Sequence, residues 1–169
     1  LGKLAGVRIR VRPSTFPSLF GLWIALVLLV RKGLKWSWRD ALWGGAAMLF
    51  IHVEGEFVHQ MGHVFAAKRT GYPMKGITFF GVLSSCVYPK DEPQLPATIH
   101  IKRALGGPAL SFIWAMLYGL TVKILPHGKW RTLAQFGFWE NLLIFTLQMF
   151  VPLGFNDGST LLYWLKHKD

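Results

Sequence analysis

A single cysteine, Cys86, stands in the 169 residues, so no internal disulfide can form and nothing in the chain calls for an oxidising compartment. Acidic side chains are scarce as well: eight Asp and Glu face nineteen Lys and Arg, a formal charge of +11. No internal repeat and no low-complexity tract is visible, which argues against a solenoid or a linker. A cleavable signal is missing too, because the opening "LGKLAGVRIRVRPS" is too charged to serve as an apolar signal core. A first residue that is Leu and not Met suggests that the natural chain begins upstream.

What the chain does hold is apolar surface. Hydrophobic residues make up 52% of it and the mean hydropathy is +0.35, too oily for an ordinary soluble domain of this length. Four runs, 16–30, 41–67, 104–125 and 136–155, are read as membrane spans, the last three having the roughly 20-residue reach that a hydrocarbon core demands. The basic residues cluster in the connections between these runs, where a membrane protein carries them, so nucleic-acid binding is not expected. If all four runs span, one face receives Lys3, Arg8, Arg10, Arg12, Lys68, Arg69, Lys75, Lys90, Lys102, Arg103, Lys166 and Lys168, and the other receives seven cations from Arg31 to Arg131. The richer face is taken as cytoplasmic, with both termini on it.

The expected fold class is therefore an all-α polytopic membrane protein, about four transmembrane helices in a single domain over 1–169, with a small interfacial β element. "GVRIRVRP" alternates Val7, Ile9 and Val11 with Arg8, Arg10 and Arg12, the period of a half-buried strand, so 1–13 is read as an interfacial strand. Residues 77–88 form a β-prone connection, one or two strands that must be sheltered from lipid. Gly106, Gly107 and Pro108 are placed near the start of the third span, where small residues let another backbone approach.

The densest chemistry lies in "HVEGEFVHQMGH", residues 52 to 63. At about 100° per residue, with Glu56 at zero, His63 falls near 340°, His52 near 320°, His59 near 300° and Gln60 near 40°, all on one helical face. Glu54 falls on the opposite side. Ionisable groups at membrane depth are costly unless paired or bound, so the stripe marks a functional site. His59 and His63, one turn apart, can meet a common ion. The blander reading is a pair of neutral histidines hydrogen-bonded to carbonyls of neighbouring helices. Asp157, in "GFNDGS", is an acidic residue near the end of the fourth run and a candidate third ligand; its blander role is the N-cap of a final helix.

These residues resemble the site-2 protease family of intramembrane zinc metalloproteases. "HQMGHVFAAKRTGYPM" is similar to the family's HExxH helix, "ALGGPALSF" to its Gly-Pro helix start, and "NDG" to its Leu-Asp-Gly ligand motif. The resemblance implies zinc held by His59, His63 and Asp157. It also implies that Gly81, Val82, Leu83, Ser84 and Ser85 offer an edge strand to an unwinding transmembrane substrate. Three departures stand out: Gln60 occupies the position of the catalytic Glu, Ser111 that of an Asn, and Met149, Gly154 and Phe155 those of an Asn and paired prolines. An amide is no base at working pH, and loss of a general base costs about 10²- to 10⁴-fold in rate.

The leading expectation is accordingly an integral multi-pass protein of a bacterial-type cell membrane, with the family's zinc-type site but with peptide cleavage lost or very slow, acting by binding transmembrane partners. Two alternatives remain open. One is an active protease, with Glu56 as base or with Gln60 as an engineered substitution that traps substrate; the other is a structural subunit of a larger membrane complex, whose polar stripe is only a hydrogen-bonded core.

Overall fold

The computed structural model describes residues 2–167. Lys168, counted above on the cytoplasmic face, lies outside the described residues. The protein is mostly helical, with one four-stranded sheet of strand order β1-β2-β3-β4. Strands β1 (Lys3–Leu4) and β2 (Val7–Val11) pair antiparallel, β2 and β3 (Gly76–Phe80) parallel, and β3 and β4 (Leu83–Val87) antiparallel. The opening segment is thus two strands and not one, because Ala5 and Gly6, both at positive φ, turn the chain between them.

Between β2 and β3 run α1 (Thr15–Gly33) and α2 (Trp38–Arg69). Helix α1 starts just past Pro13 and carries Pro17 in its first turn, where the missing N–H costs no intrahelical bond. Ser37 caps α2 by accepting from the Asp40 N–H at 3.2 Å. Helix α3 (Ala97–Ile124) begins a full two turns before the expected 104, so Gly106, Gly107 and Pro108 lie inside it and not at its start. Among the described residues two helices, α1 and α3, are long and apolar enough to cross a membrane. Helix α2 has ample length, but its polar stripe lowers its apolarity.

The expected span 136–155 is not one helix. Helix α4 (Lys129–Trp139) passes into a π-helical segment, Glu140–Thr146, then a 3-10 turn, Leu147–Phe150, and then irregular chain up to α5 (Asp157–Lys166). The widened turn has a local cause: buried Asn141 donates from Nδ2 to the Gly137 carbonyl at 2.9 Å, and Thr146 Oγ1 donates to the Asn141 carbonyl at 2.8 Å. Pro152 and Gly154, the latter at φ 89°, then prevent a return to helix.

Two buried clusters hold these parts together. Val7, Met61, Val64, Ala67, Met74 and Ile77 join the inner face of the sheet to the C-terminal half of α2, and Leu26, Val27, Val30, Ala41 and Met48 join α1 to its N-terminal half. Where α2 crosses α3 the backbones touch: a Cβ on Gly62 would lie 2.8 Å from the Gly106 carbonyl carbon and 2.9 Å from Gly107 Cα. The outer helix faces are apolar, with Phe16, Phe20, Ile113 and Ile124 exposed, the surface that lipid would cover.

Candidate metal centre

All five residues of the α2 stripe, His52, Glu56, His59, Gln60 and His63, are buried. The structure divides them between two partners. His59 and His63 turn toward α3 and α5, whereas His52, Glu56 and Gln60 turn toward β4.

On the first side, His63 Nδ1 lies 2.8 Å from the Arg103 carbonyl. A carbonyl only accepts, so Nδ1 carries the hydrogen and the lone pair of neutral His63 sits on Nε2. The Gly107 N–H also lies 3.3 Å from His63 Nδ1. The contact stands one residue before Pro108, whose ring removes a donor from the α3 ladder. His59 Nδ1 meets the fully buried Ser111 hydroxyl at 3.1 Å, a contact that fixes the orientation of the ring.

The free ring edges converge. His59 Nε2 lies 3.1 Å from His63 Nε2 and 3.1 Å from Asp157 Oδ2, and His63 Nε2 lies 3.4 Å from Asp157 Oδ1. These three residues form the cluster that could hold a metal ion. With both rings neutral and His63 protonated on Nδ1, the one hydrogen on His59 Nε2 can bridge to only one neighbour, which leaves His63 Nε2 and the carboxylate facing each other as acceptors. A cation satisfies all three at once. With Zn–N bonds of about 2.0–2.1 Å, a tetrahedral site has ligand-to-ligand edges of about 3.3 Å, the spacing seen here. The cradle is also cut to size, because a Cβ on Gly107 would lie 2.6 Å from His59 Nε2 and would strike His63 Nε2 as well.

Asp157 reaches this point because its neighbour takes the capping role. Asn156 accepts from the Ser159 N–H at 3.1 Å as the N-cap of α5, and its Nδ2 ties to the carbonyls of Gln148 and Val151 at 3.0 and 2.8 Å. Asp157, one residue on, is left to face the histidines. Gln148 Nε2 donates to Asp157 Oδ2 at 3.1 Å, a supporting contact with no local signature in the chain.

On the second side, β4 lies along α2. His52 Nε2 meets the Val82 carbonyl at 3.0 Å, Ser84 Oγ donates to Glu56, and the Cys86 thiol donates to Gln60 Oε1 at 3.2 Å. Burial pushes the Cys86 thiol up to about 12, so it stays a neutral donor and not a thiolate ligand. His52 Nδ1 is also 2.7 Å from Glu140 Oε1 in the π-helical segment. A carbonyl and a carboxyl flank the ring, so one proton is shared within the His52–Glu140 pair. Glu140 was not expected in the site; its signal was an acidic residue inside an apolar run. Glu54, on the far side of α2, accepts from the Tyr118 hydroxyl at 2.5 Å.

Gly81 and Val82 form the turn between β3 and β4, and Leu83, Ser84 and Ser85 belong to β4, the terminal strand of the sheet. Compared with known proteins, the chain shares its fold with the solved structure of the Site-2 Protease from Methanocaldococcus jannaschii: the TM-score is 0.64 over 98% of this chain and 70% of that chain, at 15% sequence identity. No protein-family model and no curated protein matches the chain.

Proposed function

We propose that this chain is a multi-pass membrane protein of site-2-protease type in which His59, His63 and Asp157 hold a zinc ion and Gln60 leaves peptide cleavage lost or very slow, so that it acts by binding a transmembrane partner. The observation that carries the reading is the meeting of two ring nitrogens and a carboxylate at 3.1–3.4 Å, which hydrogen bonds cannot all satisfy while both rings are neutral. The shared fold supports it. It also weighs against a purely structural stripe, which would pair each lone pair with a donor.

A bound zinc would supply Lewis acidity and a water of lowered pKa. The rest falls to the protein. Ser111 and the Arg103 carbonyl fix the two ring orientations, Gln148 steadies the carboxylate, and the backbone of Gly107 closes the side toward α3. Gln60 can donate or accept a hydrogen bond but cannot take up a proton, and its oxygen is already engaged by the Cys86 thiol. Glu56, the other carboxylate on this face, is held by Ser84 of β4. Strand β4, at the sheet edge, is the part proposed to pair with an extended stretch of the partner, through Gly81 to Ser85. Both termini are proposed to be cytoplasmic, from the distribution of Lys and Arg.

Metal analysis of the purified chain tests the centre: about one zinc per chain is expected, with loss in His59→Ala and Asp157→Ala. Absence of zinc from the unaltered protein overturns the reading. Cleavage of a membrane-anchored reporter tests the second half. Gln60→Glu should raise the rate by about 10²- to 10⁴-fold. Efficient cleavage by the unaltered chain, abolished by Glu56→Gln, would assign the base role to Glu56 instead.

A further inference from the structure

The sheet has two faces of opposite character. Register puts Ile9, Ile77 and Cys86 on the face packed against α2, and Arg8, Arg10, Gly76 and Thr78 on the other. On that second face the arginines are exposed, whereas Gly76 and Thr78 beside them are buried. Side chains two apart on a strand stand about 6.6–6.8 Å from each other, so Arg8, Arg10 and then Arg12 form a row of guanidinium groups. Lys3 adds a fourth cation, set opposite Arg8 by the β1–β2 pairing. Around Arg8 and Arg10 the surface is concave: a hollow of about 400 Å³ lies over Gly76 and Thr78, walled by Lys3 and Lys75. Gly76 keeps its floor open. Lys75 pairs with Asp91 at 3.2 Å, but Lys3, Arg8, Arg10 and Arg12 make no ion pair among the described residues.

Position decides what such a hollow meets. Strand β2 ends at Val11, and four residues later Thr15 starts α1, one of the two helices able to cross a membrane. The row of arginines is thereby tethered within a few residues of where that helix enters the bilayer, with Phe16 and Phe20 exposed on its first turns. Four unpaired cations beside a membrane entry point complement phosphate groups at that level, and guanidinium forks bind phosphate oxygens in pairs.

We propose that the outer face of the sheet is a binding site for the phosphate-bearing headgroups of anionic lipids, centred on Arg8 and Arg10 and extended by Lys3 and Arg12. The site goes beyond the zinc centre and does not depend on its chemistry. It seats β2, and through β3 the edge strand β4, against the lipid surface.

The test is binding of a fluorescent-tailed phosphatidylglycerol to the full chain in detergent, with unlabelled phosphatidylglycerol, phosphatidylcholine, glycerol phosphate and polyglutamate as competitors. At about 1 kcal/mol per basic residue near the surface, Arg10→Gln should weaken binding about fivefold and the triple change R8Q/R10Q/R12Q about a hundredfold. Raising the salt from low to high should weaken it as well. The triple R8K/R10K/R12K keeps the charge and should retain most of the affinity. Phosphatidylcholine competing as well as phosphatidylglycerol would reduce the effect to apolar contact and overturn the proposal. Glycerol phosphate competing at equal concentration would make the ligand a free anion, and polyglutamate competing better than lipid would make it an acidic protein segment. Either result overturns the proposal too, as does a triple Gln variant within twofold of the unaltered chain. Should the Gln variants not fold, the competitor and salt arms on the unaltered protein decide.

Discussion

Gly107→Ala changes no proposed ligand, yet it should weaken zinc binding by at least about 100-fold. The new Cβ would stand 2.6 Å from His59 Nε2 and 2.7 Å from His59 Cε1, and against His63 Nε2. Ordinary contact between such atoms is about 3.5 Å, so the rings would have to withdraw by about 0.9 Å. Zinc–ligand distances tolerate about 0.2 Å. Neither ring has that freedom, since His63 is tied to the Arg103 carbonyl and His59 to Ser111. Disturbing a supporting contact alone costs about 10- to 100-fold in affinity, and displacing the donor atoms themselves should cost at least the upper figure. The cost to the metal-free fold is of comparable size, about 1–3 kcal/mol for an extra methyl in a packed interior. Zinc affinity by competition with a chelating dye, read beside thermal unfolding of the metal-free protein, separates the two effects. Gly119→Ala is the control, about 18 Å further along α3, where a Cβ would meet only the Phe138 ring at 3.2 Å. A Gly107→Ala protein that binds zinc within threefold of the unaltered chain would refute the use of the two Nε2 atoms.

The remaining predictions concern the frame around the centre. Arg103, buried, donates to both oxygens of Glu92 at 2.6 and 3.0 Å and so holds that carboxyl below the usual range; the stability this adds is complete above the unfolded value of about 4.3 and lost as pH falls through the lower folded value. Glu92→Gln should therefore be less stable than the unaltered protein at pH 7 and indistinguishable from it in strong acid; a gap that is constant from pH 7 to 3 in thermal unfolding would show that the pair adds nothing. Gly62→Ala should lower the melting temperature by the equivalent of about 1–3 kcal/mol, because its Cβ meets α3 backbone that cannot yield, whereas Gly21→Ala, with nothing within 4 Å, should not. Ser84→Ala removes the donor from Glu56 and should speed amide exchange in β4 before any other strand, with a cost of about 1–3 kcal/mol for the orphaned carboxylate; unchanged exchange in β4 would show that Ser84 does not hold the strand.

How much of this the sequence discloses depends on whether the cause is local. The stripe is local: 100° per residue puts His52, Glu56, His59, Gln60 and His63 on one face, and all five are buried. Its division between two partners is not, because it depends on which helix and which strand approach. Asp157 lies 98 residues from His59, and only resemblance linked them beforehand. The capping question at "ND" resolves by one residue, with Asn156 taking the cap, a choice that composition alone leaves open. The run 136–155 looks helical by apolarity, but apolarity does not distinguish i→i−4 from i→i−5 bonding; buried Asn141 and its bond to Gly137 set the wider turn. The early start of α3 was hidden for the opposite reason. Residues 97–103 are polar enough to pass for a loop, yet Arg103 is needed inside, to hold Glu92 with its side chain and His63 with its carbonyl.

Why the stripe ends its strand contacts at Gln60 follows from two periods. Positions 52, 56 and 60 climb α2 by about 6.0 Å per step, and positions 84 and 86 of β4, with 82 in the turn just before it, advance by about 6.6–6.8 Å per strand step. Over two steps the mismatch grows to about 1.5 Å, half a hydrogen bond length, so three rungs fit and a fourth does not. The next helical position, Val64, is apolar and belongs to the buried cluster that includes Ile77 of β3. The ladder thus fixes β4 along the very turns of α2 that carry the histidines, and the Gln60 rung sits beside the centre. A carboxylate at position 60 can accept from the Cys86 thiol as the amide does, since the thiol remains protonated at any working pH. Gln60→Glu therefore keeps the rung and the strand in place and alters only whether position 60 can receive a proton, which makes it the substitution that separates the proton chemistry of the centre from its architecture.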